Sequence, residues 1–127
     1  MTTSANLAAT AACGAYLLTA KADARIETLE VSRFFGGIVN DPAFQRIDAG
    51  ALTSEYARLH DALANDYGAA EREILAAVSA IKGDATIVAA VKIAARNAII
   101  ADQVLKPQED LALARIARAL GLAPGDL

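Results

Sequence analysis

The chain has 127 residues, a length that fits one domain whose core needs neither disulfides nor a metal ion. Apolar residues make up 55% of it and aromatic residues only 5%, and much of the apolar share is alanine, the best helix former. The formal net charge of -3, with Lys and Arg scattered singly, argues against nucleic-acid binding, and the single cysteine, Cys13, excludes an internal disulfide and favours the reducing cytoplasm.

The first predicted element is a helix over about residues 4–21 that is apolar on nearly every side. A helix without a polar face is expected in the middle of a bundle. Residues 7–20 also have the length of the apolar part of a signal peptide, but no Lys or Arg precedes them. We therefore interpret this segment as a core helix in preference to a secretory signal.

A second helix is predicted over about residues 27–39, where apolar side chains recur at helical spacing. Asp41-Pro42 then has the pattern of an N-cap followed by proline at the first helical position. This pair predicts a short helical turn through Phe44 and Ile47, which Gly50 is expected to end.

Three longer helices are predicted after this turn. Thr53 or Ser54 is expected to cap the third main helix, and the fourth begins near Asp66. Gly83 is expected to follow the end of the fourth helix, as glycine commonly does. Asp84 is the predicted cap of a fifth, largely apolar helix that continues to about residue 101.

The last helix is predicted to begin with Pro107 and to end before Gly121. Acidic residues in its first turn and arginines near its end suit the helix dipole. No linker-like or low-complexity stretch divides the chain. We therefore expect residues 1–127 to form one all-α domain, a compact bundle of about six to seven helices.

An internal repeat is the most informative feature of the sequence. Both copies follow a strongly apolar helix and place Asp and Glu seven positions apart, at Asp23 and Glu30 and again at Asp102 and Glu109. The offset between the copies is constant, since 102 − 23 and 109 − 30 both equal 79. The repeat predicts two pseudo-symmetric helix pairs.

The second copy resembles the C-terminal signature of TerB-like domains, the tellurite-resistance TerB family. Ile-Ile-Ala-Asp at residues 99–102, the loop to residue 109 and Leu-Gly-Leu at residues 120–122 carry the resemblance. In that family an apolar helix ends in Ala-Asp-Gly, and a loop, an acidic helix start and a Leu-Gly ending follow. Residues 22–30 resemble the N-terminal half, although Ala24 and Gln103 stand where the family has glycine.

The resemblance implies an all-α domain with two pseudo-symmetric helix pairs and a cluster of acidic residues. The family is associated with tellurite and general stress resistance, and it occurs fused to co-chaperones and to membrane-linked proteins. By this resemblance we expect an interaction module with a protein partner or a membrane-associated complex, and we leave a homo-oligomer open.

The acidic residues of the two copies are the candidate functional groups. If the two halves pack about a pseudo-twofold axis, their carboxylates could together bind a divalent cation, calcium or magnesium, because such ions need several oxygen ligands. The candidate ligands are Asp23, Glu27, Glu30, Asp102, Glu109 and Asp110. The alternative is that these side chains only cap helices.

An enzyme is the alternative to an interaction module. The same carboxylates could activate metal-bound water in a small metal-dependent enzyme. His60 is the only histidine, and Asp61 follows it directly, so the two are not expected to face each other on a helix. Because no nucleophile or oxyanion-stabilising group is evident, the sequence favours the interaction module.

Overall fold

The structure is a computed structural model that describes residues 4–20, 37, 40–45, 47–100 and 107–123. Within these residues all regular structure is helical, which confirms the all-α prediction. The α-helices are α1 (Ser4–Ala20), α2 (Ala49–Asn65), α3 (Tyr67–Ala80), α4 (Ala85–Ile100) and α5 (Pro107–Ala119), and a 3-10 helix spans Pro42–Phe44. No helix in this part of the chain combines the length and apolar character needed to cross a bilayer.

Helix α1 is the centre of the fold and packs against each of the other four α-helices. Its side chains from Ala8 to Thr19 are buried wherever they carry a Cβ, including the large Tyr16, Leu17 and Leu18. Because α1 has apolar residues on every side, it buries its whole circumference, as the sequence predicted.

Small residues let α3 approach α1 closely. A Cβ placed on Gly14 would lie 2.5 Å from Cγ2 and 2.7 Å from Cγ1 of Ile74. The missing side chain at Gly14 therefore makes room for the buried Ile74 at the crossing of the two helices.

Helices α2 and α3 form a hairpin with Asp66 as the single residue between them. The backbone N–H of Asp66 donates to the carbonyl of Ala62 at 2.8 Å and so closes α2. Its carboxylate accepts from the N–H of Ala69 at 3.1 Å and caps α3, which begins near Asp66 as predicted. Arg58 and Glu73 lie at similar sequence separations from Asp66, one before it and one after it, and their side chains are paired across the hairpin. The two helices therefore run antiparallel.

Among the helices that the structure describes, α4 packs most extensively against α1. Asp84 caps it as predicted, since its Oδ1 accepts from the N–H groups of Thr86 at 3.1 Å and Ile87 at 3.4 Å. The buried side chains of α4 recur at helical spacing and comprise Ile87, Ala90, Val91, Ala94 and Ala95. The other face of α4 is only partly covered in the described residues.

The short 3-10 helix begins as the sequence predicted but ends earlier. Oδ1 of Asp41 accepts from the N–H of Ala43 at 3.0 Å, with Pro42 at the first helical position. The helical conformation ends at Phe44, whose side chain is buried, so it does not run on through Ile47.

The predicted start of the next helix was wrong by several residues. Helix α2 begins at Ala49, where Oδ2 of Asp48 accepts from the N–H of Ala51 at 2.8 Å. Neither Thr53 nor Ser54 is the cap, because both lie inside the helix. Gly50 belongs to the first turn of α2 and does not break a helix, since an end position tolerates glycine when an aspartate caps it.

Of the two glycines predicted to follow a helix end, Gly121 does so and Gly83 does not. Gly121 has φ +77°, and the N–H groups of Gly121 and Leu122 donate to the carbonyls of Arg118 at 3.0 Å and Ala117 at 2.8 Å. This Schellman arrangement ends α5 as predicted. Gly83 does not adopt positive φ, and α3 already ends at Ala80.

Two sequence predictions lie outside the described residues. They are the helix over residues 27–39, apart from the single described residue 37, and the loops of both repeat copies.

Candidate functional site

The predicted acidic cluster lies almost wholly outside the described residues. Asp23, Glu27, Glu30 and Asp102 belong to segments that are not described, and Glu109 is described only as part of the backbone of α5. Asp110 is exposed in the first turn of α5. Among the described side chains, no group of three or more His, Cys, Asp or Glu residues is arranged to hold a metal ion.

Aspartates that the structure does describe act mainly as helix caps. The carboxylates of four of them accept hydrogen bonds from the first backbone N–H groups of the helix that follows. These residues are Asp41, Asp48, Asp66 and Asp84. An aspartate at a loop–helix boundary of this chain therefore has capping as its ordinary role, which keeps the capping alternative open for Asp102.

His60 and Asp61 lie closer together than their positions on a helix suggested. Nδ1 of His60 is 3.6 Å from Oδ1 of Asp61, which is too long for a hydrogen bond. The Asp61 side chain is 81% exposed, so solvent screens this contact. The two residues therefore do not form an oriented catalytic pair.

Cys13 is a structural residue of α1. Its side chain is fully buried, and Sγ donates to the carbonyl of Leu52 at 3.4 Å. Burial, and after it the negative charge of Glu55, raises the pKa of the Cys13 thiol well above its usual value. Because nucleophilic cysteines need a stabilised thiolate, this thiol is suited to packing and not to catalysis.

The most developed polar arrangement links α2 and α3 through Arg58. Its Nε and Nη2 donate to Oε2 of Glu55 at 3.0 and 2.7 Å. Its Nη1 lies 3.1 Å from Oε1 of Glu73, and Nη2 lies 2.9 Å from Oε2 of the same carboxylate. Hydrogen bonds to Glu73 first and Glu55 second raise the pKa of Arg58 above its usual value. We call these three residues the Arg58 triad.

An open cavity of about 410 Å³ lies beside the triad, where α1 meets α2 and α3. The triad provides its charged wall, and residues of α1 and α3 provide the rest. Those residues are Leu7, Thr10, Ala76 and Ala77. We call this space the triad cavity. It combines three charged side chains with a largely apolar wall, and the side chains of Arg58 and Glu73 are each 46% exposed.

Sequence reasoning missed the Arg58 triad. Glu55 and Arg58 are three positions apart on one helix, which is a recognisable local pairing. Glu73 comes from the next helix, and only the α2–α3 hairpin brings it to Arg58. The spacing of Glu55 and Arg58 was therefore the one available signal.

A second ion pair connects α3 to α5. Nη1 of Arg115 donates to Oε2 of Glu71 at 2.7 Å. Tyr67 lies one turn before Glu71, and its pKa is raised by burial and by the charge of Glu71, while Arg115 opposes the rise. This pair lies outside the triad cavity and holds α5 against the hairpin.

No protein-family model, no curated protein and no solved structure matches this chain.

Proposed function

We propose that this chain is a TerB-like interaction module associated with tellurite and general stress resistance, and that a divalent cation tunes it. It acts in the cytoplasm on a protein partner or within a membrane-associated complex. The proposal rests on the resemblance of residues 22–30 and 99–122 to TerB-like domains. One structural observation supports it: α1 and α4, which lead into the two repeat copies, pack against each other.

The packing of α1 on α4 agrees with a pseudo-symmetric arrangement. In the proposed domain, α1 and the helix over residues 27–39 form one pair, and α4 and α5 form the other, within a bundle of six to seven helices. Asp23 follows the end of α1 by three residues and Asp102 follows the end of α4 by two. The two aspartates therefore occupy similar sequence positions relative to the ends of the two helices.

The proposed cation is calcium or magnesium, held by carboxylates from both repeat copies. Clustered carboxylates repel one another, so the cation would stabilise the folded state. A ligand present at a hundredfold excess over its dissociation constant adds about 2.7 kcal/mol to the free energy of unfolding.

Thermal melts with and without metal test the cation. We expect millimolar calcium, magnesium or manganese to raise the melting temperature of the wild type relative to chelator, and the rise to vanish in Asp102→Asn. Asp61→Asn is the matched control, because Asp61 is a highly exposed aspartate outside both repeat copies. It should keep the full metal response. If no ion shifts the wild type, the cation proposal is wrong, and Asp102 acts as a cap that Asn replaces well.

A partner is tested separately. The tagged wild type should recover a specific protein from a lysate of its native cell that the tag alone does not recover. If the wild type and the tag alone recover the same proteins, the interaction module is wrong even where the melts respond to metal. Size-exclusion chromatography with light scattering on the same sample measures any homo-oligomer.

A further inference from the structure

The triad cavity has features of a ligand site that the proposed function does not use. Its volume of about 410 Å³ falls within the roughly 300–1,000 Å³ typical of small-molecule pockets. Leu7, Ala76 and Ala77 form its apolar part, and the Arg58 triad forms its polar part. A molecule that fits must therefore have both an apolar group and a polar group.

The net charge of the cavity wall determines whether the polar group of a ligand should be positively or negatively charged. Glu55 and Glu73 contribute −2 and Arg58 contributes +1, so the charged residues described at its wall sum to −1. Four of the five N–H donors of Arg58 already face the two carboxylates. An anion would find little donor capacity and a repulsive field, whereas a cation would be attracted.

The carboxylates retain room for a further donor. Each carboxylate has about four lone-pair sites, and both hydrogen bonds from Arg58 to Glu55 fall on the single oxygen Oε2. The Glu55 side chain is only 15% exposed. The Arg58 and Glu73 side chains are each 46% exposed, so a cation held here would interact most strongly with Glu55, where the local dielectric constant is lower.

We propose that the triad cavity binds a small organic cation, an ammonium group joined to a compact apolar group. The ammonium group donates to Glu55 and Glu73 beside the Arg58 guanidinium. The apolar group contacts Leu7, Ala76 and Ala77. This site is independent of the cation proposed for the repeat copies, because none of its residues belongs to them.

A pair of probes with the same ring and opposite charge tests the proposal. In two-dimensional amide NMR spectra of the full chain, 2-phenylethylammonium should cause saturable shifts centred on Thr10, Ala76 and Ala77. The isosteric anion 3-phenylpropionate should cause none at the same concentrations. Equal shifts with both probes, or no saturable shift with the ammonium probe up to tens of millimolar, would overturn the proposal.

Variants separate ligand binding from a purely structural role of the triad. Glu73→Gln brings the charge of the cavity wall to zero and should weaken binding of the ammonium probe about threefold to fivefold. Arg58→Gln brings it to −2 and should strengthen binding, although it removes the link between α2 and α3. A structural triad alone predicts that both variants lower stability and that neither changes probe binding.

Two further variants complete the test. Glu71→Gln removes a carboxylate from the same helix as Glu73, but one that pairs with Arg115 away from the cavity. It should bind the probe as the wild type does. Ala76→Leu adds bulk at an exposed position of the cavity wall and should block binding without loss of helical circular dichroism. If Glu71→Gln weakens binding as much as Glu73→Gln, the site is not the triad cavity.

Discussion

The helical glycines of this chain show how strongly the meaning of one residue type depends on its neighbours. Gly14 lies in the buried helix α1, where an added methyl group would overlap the Ile74 side chain at 2.5 Å. Gly68 lies near the exposed start of α3, where the nearest atoms to an added methyl group are 3.7 Å away. Both glycines are helical, so the same gain in helix propensity acts at both.

We therefore expect Gly14→Ala and Gly68→Ala to change stability in opposite directions. Overpacking costs about 1–3 kcal/mol, which exceeds the gain of about 1 kcal/mol in helix propensity, so Gly14→Ala should destabilise. Gly68→Ala should stabilise by about 0.5–1 kcal/mol. Urea denaturation measures both, and Gly14→Ala in an Ile74→Ala background should lose its cost because the overlapping Cγ atoms are gone. Equal effects at the two glycines would contradict this account.

At the residue scale, the sequence predicted interactions between residues that are close together along the chain. The caps at Asp41 and Asp84 were predicted, because a cap bonds to N–H groups two or three positions along the chain. The pairing of Arg58 with Glu73 was not predicted, because it joins two helices. The candidate site built on the repeat copies remains a prediction, since the carboxylates of all its residues except Asp110 lie outside what the structure describes.

Among the secondary-structure elements, the α2–α3 hairpin depends on a single connecting residue. Asp66 closes α2 with its backbone N–H and caps α3 with its carboxylate. A substitution of Asp66 that removes the carboxylate therefore removes the cap of α3 but leaves the backbone hydrogen bond that closes α2.

Asp66→Ala should therefore destabilise the protein by about 0.5–2 kcal/mol, whereas Asp66→Asn should cost much less because Asn also accepts from the N–H of Ala69. Chemical denaturation monitored by circular dichroism at 222 nm measures both variants. Asp61→Ala is the control, as it removes an exposed aspartate that caps nothing in the described structure. If Asp66→Ala and Asp61→Ala are equally mild, the cap does not stabilise the hairpin.

Helix boundaries were predicted correctly at Asp84 and Gly121 but not at Gly83, because α3 already ends at Ala80. The start of α2 was misplaced because Asp48, Thr53 and Ser54 are all capable caps within a few residues. Leu52 decides between them. Its side chain is buried and begins the apolar stripe that continues to Tyr56, so the helix has to start before it.

For the whole molecule, the packing of α1 on α4 is the largest contact between described helices. Val91 and Ala94 of α4 are fully buried, whereas Ala85 is exposed at the first position of the same helix. Introducing Asp at a buried and at an exposed position of α4 therefore tests the effect of burial within one helix.

Val91→Asp should abolish cooperative unfolding, because an unpaired buried carboxylate costs several kcal/mol of a total stability of about 5–15 kcal/mol. Ala85→Asp should remain folded, since an acidic side chain suits a helix N-terminus. Thermal melts followed by circular dichroism distinguish the two variants. A Val91→Asp protein that melts like the wild type would show that α4 is not part of the core.

The burial of α1 on all sides also has a consequence for biosynthesis. Helix α1 leaves the ribosome before all of its partners, and α4 starts only at Ala85, 65 residues after α1 ends at Ala20 (85 − 20 = 65). Translation proceeds at about 5–20 residues per second, so several seconds pass before the helices that bury α1 have been synthesised. It has no polar face to turn toward water during that interval, so the nascent chain presents an uninterrupted apolar segment that favours self-association and recognition by chaperones until translation of α4 is complete.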